Sequence, residues 1–141
     1  MINDDLKLTG ALTIALNDEI VQETENLVVT AGKNWVASRM KDTTQDAMSH
    51  MAVGTGTTVA AAGNTTLVTE NDRNALTSTT VTGNAIAYVA TWAAGDGTAA
   101  LTEAGIFDAA SAGDMLCRTV FSVVNKGAAD SMTITWTITV S

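Results

Sequence analysis

Hydrophobic and polar residues alternate strictly in the segment SMTITWTITV, residues 131–140. Its apolar residues fall on one parity and its hydroxyl residues on the other. Because successive side chains of a β-strand point to opposite faces, this pattern predicts a strand with one buried face. We expect that face, with Trp136 as its largest side chain, to lie in the core. A long uncharged strand invites aggregation at an open edge, so it should be paired on both sides or covered by a second subunit.

Similar alternation occurs in LKLTGALTIAL, residues 6–16, and shorter strand-like runs follow along the chain. The chain contains no proline, so its turns depend on Gly, Asn, Asp and Ser, as at Asn17-Asp18 and Gly83-Asn84. Residues 59–76 read either as a loop or as a short helical turn. The other runs predict strands at residues 19–22, 26–29, 48–53, 77–83, 85–92, 101–108 and 115–124.

One segment has helical periodicity, AGKNWVASRMK at residues 31–41. Val36 and Met40 are four residues apart and Trp35 flanks them, so we expect this stripe to face the core. Eight or nine short strands around one short α-helix, with turn signals about every 8–12 residues, predict a mainly β fold. We interpret residues 1–141 as a single-domain β-sandwich of jelly-roll-like form.

Charge and hydropathy exclude two classes of partner. The formal net charge is −8, and the seven basic residues form no run that could neutralise phosphates, so we expect no nucleic-acid partner. No apolar stretch approaches the roughly 20 residues that a membrane helix needs, so we expect no membrane partner. The first residues, MINDDLK, carry acids where a signal peptide would carry bases. We therefore expect a soluble protein made inside the cell.

The sequence offers little catalytic chemistry. His50 is the only histidine, and there is no HExxH motif, no Cys/His cluster and no GxSxG motif. Cys117 is the only cysteine and lies in an apolar run, where we expect a buried small side chain. GTGTT at residues 54–58 lacks the lysine of a phosphate-binding loop and fits a tight turn better. We predict no catalytic residue, no cofactor and no metal ligand.

Calcium binding is the alternative to a metal-free protein. The segments 3–5, 70–72 and 95–97 each carry one or two acidic residues, and all three read as loops. None has the spacing of an EF-hand loop, and isolated acidic loop tips are ordinary surface features. The sequence leaves a bound calcium ion open.

Glu103 and Arg118 are candidates for a structural ion pair. If residues 101–107 and 115–122 pair as neighbouring strands, the two side chains can meet across the ladder. A paired charge of this kind is first a structural device.

Five segments, spread in order over roughly residues 20–140, resemble a module of tailed-bacteriophage virion proteins: NLVVTAGKN, MAVGTGTT, LTEAGIFDA, MLCRTVFSVVNKG and DSMTITWTITV. That module occurs in small capsid cement (decoration) proteins and in fibre or other tail-associated proteins. A chain of 141 residues favours the cement group because it leaves no room for a fibre shaft.

The resemblance implies a non-enzymatic structural protein of β-sandwich or jelly-roll form. Such a protein is made in the host bacterial cytoplasm and ends on the capsid exterior of the virion. It binds the outer surface of the major capsid protein lattice and stabilises the shell, often as a dimer or trimer. The alternative is a tail, neck or fibre-associated component, including a carbohydrate-binding module with Trp92 stacking on a sugar. A core position is the other interpretation of Trp92.

Two regions are candidates for a partner interface. Ile2 and Leu6 flank the acidic NDD segment, and residues 1–6 could reach a neighbouring subunit as an extended N-terminal arm; a frayed terminus is the alternative. Thr133, Thr135 and Thr137 lie on the hydroxyl face of the 131–140 strand, where threonine can face water or bond across an interface.

Overall fold

Ten β-strands and one α-helix make up the part of the chain that the structure, a computed structural model, describes, namely residues 5–41 and 45–141. The mainly β fold with one short helix is thus confirmed, and the strands outnumber the eight or nine expected. The elements are β1 (Leu8–Leu16), β2 (Glu19–Glu25), β3 (Leu27–Val28), α1 (Thr30–Lys41), β4 (His50–Gly54), β5 (Glu70–Ala75), β6 (Ser78–Thr82), β7 (Ala85–Trp92), β8 (Ala99–Phe107), β9 (Met115–Lys126) and β10 (Met132–Val140).

The strands form two five-stranded antiparallel sheets that pack as a sandwich. The first sheet has the order β2-β1-β10-β7-β6, and the second has the order β3-β9-β8-β4-β5. β10 lies between β1 and β7, with Thr135 opposite Thr13 on one side and Val89 on the other. The expectation that the threonine-rich strand is paired on both sides is confirmed. The strand order does not confirm the jelly-roll connection, which stays a prediction.

The core lies between the sheets and is built from the apolar parity of each strand. Leu12, Ile14 and Trp136 face it from the first sheet, and Met51 and Ile106 face it from the second. All five are at most 2% exposed. Burying each large apolar side chain stabilises the fold by about 1.5–3 kcal/mol, so the alternating pattern fixes which face of each strand is inside.

Two hairpin turns lie where their residue types predict them. Asn17 and Asp18 both have positive φ, 51° and 65°, as a two-residue type I′ turn between β1 and β2 requires. Gly83 has φ of 59° between β6 and β7. The Asn17 side chain donates to Asp130 Oδ1 at 2.8 Å and accepts from the Ser131 amide at 3.0 Å. This contact ties the first hairpin to the residues before β10.

Helix α1 packs differently from the expectation. Val36 and Trp35 are half-buried against the core, but Met40 is 82% exposed, so its predicted place in the buried stripe is wrong. The buried residue of the helix is Gly32, where a Cβ atom would collide with the carbonyl of Leu116. The helix therefore approaches β9 through its glycine, near its first turn, and its last turn stands away from the core.

The ambiguous segment 59–76 contains a strand rather than a helical turn. β5 pairs antiparallel with β4, with Arg73 opposite Ala52, and forms the edge of the second sheet. Across the described ranges, the structure contains no helix that is long and apolar enough to cross a membrane.

Candidate interaction surfaces

Glu103 and Arg118 meet on the outer side of the second sheet. β8 and β9 pair so that Arg118 is opposite Gly105 and Glu103 is opposite Val120, which makes the two charged residues diagonal neighbours. Arg118 donates to Glu103 Oε1 from Nη2 at 3.0 Å and from Nε at 3.1 Å, and both side chains are 0% exposed. The strand pairing inferred from the sequence therefore brings these two side chains together.

The Glu103 carboxylate also holds a long loop. It accepts hydrogen bonds from the backbone amides of Gly56, Val68 and Thr69 at 2.7, 2.9 and 2.8 Å. Burial by itself would raise the pKa of this carboxyl, but the bonds from Thr69, Val68, Arg118 and Gly56 outweigh burial and hold the pKa below its usual value. The carboxylate is thus kept charged as an acceptor.

Arg118 completes the attachment of the same loop. Its Nη2 donates to the Thr58 carbonyl at 2.9 Å, and its Nη1 donates to Asn64 Oδ1 at 3.0 Å. Residues 55–69, which we call the cover loop, therefore lie over the ion pair and close the outer side of the second sheet. The two side chains together thus attach the cover loop to β8 and β9.

A second cation closes the neighbouring part of the same face. Arg73 pairs with Glu70 at 2.7 and 3.2 Å and donates to the carbonyls of Ala109 and Ala112 at 2.9 Å each. Its guanidinium stands 3.7 Å from the centre of the Phe107 ring. One arginine thus joins β5, β8 and the turn after β8.

The residues considered for catalysis and metal binding are dispersed. His50 Nδ1 lies 2.8 Å from Ser49 Oγ, and the ring is half-buried at the start of β4. Burial raises the pKa of the Cys117 thiol well above its usual value, as expected for an unreactive core cysteine. Within the described ranges, no three His, Cys, Asp or Glu side chains are gathered as a metal site would require. Of the acidic segment 3–5, only Asp5 is described.

Trp92 is a core residue and offers no stacking surface for a sugar. Its side chain is 0% exposed, and Gly97, with φ of 61°, packs directly against the indole ring. Lys126 anchors the same loop by donating from Nζ to the Ala93 carbonyl at 3.0 Å. The core interpretation of Trp92 is therefore confirmed and the alternative of a sugar-stacking Trp92 is wrong, because the indole is buried under the 93–98 loop.

No segment within residues 5–41 and 45–141 covers the outer side of the first sheet. We call it the threonine face; it comprises the odd-numbered residues from 9 to 15, 85 to 91 and 133 to 139 and the even-numbered residues from 78 to 82. Every one is Thr, Ala, Ser or Val. Thr135 is exposed, while Thr133 and Thr137 are half-buried among their small neighbours. Four adjacent strands therefore present a surface without charge, bordered on β2 by Glu23 and Glu25.

The proposed N-terminal contact is partly visible. Ile2 lies outside the described residues, whereas Leu6 is 72% exposed immediately before β1. Leu6 lies at one end of a groove of about 480 Å³ between β1 and α1, which Met40 also lines. The sequence did not predict this groove. The features that mark it are the exposed Met40 and the basic residues of α1.

No protein-family model matches this chain, and comparison with curated proteins and with solved structures finds no match either.

Proposed function

We propose that this chain is a non-enzymatic capsid cement protein of a tailed bacteriophage, which binds the outer surface of the major capsid protein lattice and stabilises the shell. The proposal starts from the five segments that resemble such proteins. The structural observation that supports it is the threonine face, because a broad, uncharged sheet surface with small side chains suits protein association.

The chemistry of the threonine face fits a protein partner. Hydroxyl groups can donate or accept across an interface, and the small side chains allow another surface to approach closely. The chain carries a net charge of −8, yet no carboxylate projects from the four strands of this face. A partner can cover it without burying an unpaired charge, which would be costly.

The size of the threonine face is adequate for a specific contact. Four strands about 4.8 Å apart and about eight residues long give a projected area of roughly 500 Å². Two surfaces of that size bury about 1,000 Å² together, which is near the lower bound for a biological interface. A cement protein present in many copies needs only a modest contact per copy. Self-association as a dimer or trimer would use the same kind of surface.

The decisive experiment is an image reconstruction of the virion that contains this protein. A cement protein occupies repeated positions on the capsid exterior in hundreds of copies. A copy number of a few to a few tens, located on the tail or neck, would overturn the proposal in favour of a tail-associated component.

Binding to purified shells tests the surface itself. We expect the protein to co-sediment with expanded shells and Thr135→Lys to weaken that binding, because a lysine would place a charge at the centre of the interface. The matched control is Thr65→Lys in the cover loop, which introduces the same charge at an exposed threonine on the other side of the sandwich. A protein that ignores expanded shells, or two variants that behave alike, would count against the proposal.

A further inference from the structure

The exposed positive charge of this acidic protein is confined to one place. Three of its seven basic residues are committed to structural contacts and largely shielded from solvent: Arg73, Arg118 and Lys126. The other four are exposed and lie on α1 or just before β1: Lys7, Lys33, Arg39 and Lys41. The surface is thus acidic with a single basic region, and such a region attracts a negatively charged partner.

An apolar groove runs through this basic region. Leu6, Val36 and Met40 line it together with Lys7 and Lys33. Leu6 is 72% and Met40 is 82% exposed, so two large apolar side chains face solvent at its border. A second depression of about 390 Å³ shares Leu8, Thr9 and Lys33 with the groove and continues along β1 toward Glu25.

The wall of the groove formed by β1 has an open strand edge. Lys7 and Ser141 exchange both backbone hydrogen bonds, at 2.7 and 2.9 Å. Bonded pairs alternate in an antiparallel ladder, so the N–H and C=O of Leu8 point away from β10. Along the described chain, β2 pairs with β1 only from Ala11 onward, and the nearest bond is that from the Asn26 amide to the Gly10 carbonyl at 3.0 Å.

We propose that this groove binds an extended, acidic segment of a partner protein, which adds a short strand to β1 at Leu8. Backbone bonds to Leu8 would hold the segment, as in other cases of strand addition to a sheet edge. Its apolar side chains would contact Leu6 and Met40, and its alternate carboxylates would face Lys7 and Lys33. Because Glu25 lines the adjoining depression, where it would repel a carboxylate, the carboxylates should cluster at the Lys7 end.

This site borders the threonine face that the proposed function uses, because Thr9 lines the groove and Thr137 and Thr139 line the adjoining depression. The residues that would hold the segment, Leu8, Lys33 and Met40, lie outside that face. A protein with two adjoining contact sites can bridge two neighbouring chains rather than cover one. The groove would bind its segment whether or not the threonine face contacts a shell, so the two proposals can fail independently.

The test uses the full chain and a synthetic peptide of four valine–glutamate repeats, with binding measured by fluorescence anisotropy at physiological salt. We expect saturable binding, weaker binding as salt is added, and no binding of the matched valine–lysine peptide. N-methylation of the peptide backbone at alternate residues should abolish binding, because it removes the donors that would pair with Leu8.

Two variants and one control variant locate the binding on the protein. Lys33→Glu should weaken peptide binding about fivefold or more, since it reverses a charge at the centre of the groove. Lys41→Glu makes the same charge change about 12 Å along the helix, beyond a Debye length at physiological salt, and should change binding about twofold or less. Met40→Ser should weaken binding about tenfold through lost apolar contact, with little change in Tm because Met40 is exposed.

Three results would overturn the proposal. They are absence of saturable binding by the acidic peptide, equal effects of Lys33→Glu and Lys41→Glu, and binding that survives N-methylation. If the protein does not bind the peptide but self-associates, and Lys33→Glu makes it monomeric, then the occupant is a second copy and the proposed partner segment is wrong.

Discussion

The two sheets of the sandwich treat their outer faces in opposite ways. The second sheet carries Arg73, Glu103 and Arg118 outward, and the cover loop and the turn after β8 close over these charges. The first sheet carries small uncharged side chains outward on β1, β10, β7 and β6, and no segment of the described chain covers these four strands. One outer face is therefore covered by segments of the same chain, and the other is available to a partner.

This difference shows that charged side chains can fix the position of a loop instead of keeping the surface soluble. A buried ion pair contributes little net stability by itself, but removing one partner leaves an uncompensated buried charge. Here the pair also satisfies three loop amides, so it fixes the path of a long loop. The uncharged face of the first sheet makes no comparable contacts with other segments of the chain. It can therefore contact a partner, and single substitutions on it should change the free energy of unfolding little.

Substitution of Glu103 tests most directly whether the covered face depends on its ion pair. Glu103→Gln should lower the free energy of unfolding by about 3–5 kcal/mol, because Arg118 would remain buried without a counter-charge. Urea denaturation measures the change. The double variant Glu103→Gln/Arg118→Met removes the unpaired charge and should recover part of the loss. A loss under about 1 kcal/mol for Glu103→Gln would show that the covered face does not depend on this pair.

Lowering the pH should reduce the free energy of unfolding gradually, because it protonates the Glu103 carboxylate. The folded-state pKa of Glu103 lies below its unfolded value of about 4.3, so its contribution is fully present above that value. It declines as the pH falls through the folded-state pKa. In Glu103→Gln this part of the pH dependence is absent, so the unfolding free energies of the two proteins should converge at low pH.

Asp130 provides an internal reference in that acid titration. A hydrogen bond from the Asn17 side chain is the first cause that lowers its pKa, and it titrates in both proteins alike. Stability curves that stay parallel between neutral and acid pH would contradict the role given to Glu103.

A smaller effect is expected at the second covered cation. Arg73→Lys should destabilise the fold by about 1–2 kcal/mol, because an ammonium group cannot reproduce the paired bonds to Glu70 and the bonds to two carbonyls. The shift in the thermal midpoint measures it. The control is Arg39→Lys, at an exposed arginine whose single bond to the Gln45 carbonyl a lysine can replace. Equal shifts for both variants would remove any special role for Arg73.

The smallest effect on folding should come from the threonine face. Thr135→Lys should change the unfolding free energy by about 0.5 kcal/mol or less, because the side chain projects into solvent at a paired central strand. Thermal denaturation of the isolated protein measures this. A loss as large as that of Glu103→Gln would mean that the threonine face is needed for folding and would erase the contrast between the two sheets.

Periodic strands and turns were predictable from the sequence. The alternation in β10 fixed its buried face, and Asn17-Asp18 marked a hairpin turn because both residues tolerate positive φ. The contact between Glu103 and Arg118 followed from the pairing of β8 with β9. In each case, the conformation that the local residues favour is the one that the folded structure contains.

The rest depended on tertiary contacts that leave little local signal. ENDRNA, residues 70–75, has no alternating apolar pattern, and it becomes a strand because the edge of β4 and the contacts of Arg73 hold it there. Met40 sits at helical spacing from Val36, yet the glycine approach of α1 to β9 leaves the last turn outside the core. The groove combines residues of β1 and α1, so neither segment alone could reveal it.

The central place of β10 also sets a condition on the speed of folding. Asn17 and Asp130, which bond beside the junction of β1 with β10, are 113 positions apart in the chain. Loop-closure entropy opposes a contact of that span, and proteins dominated by such pairings fold in milliseconds to seconds. β1 and β7 must wait with unpaired edges until β10 enters between them. We expect the first sheet to form last, so its unpaired strand edges are open to pairing with other chains until that stage.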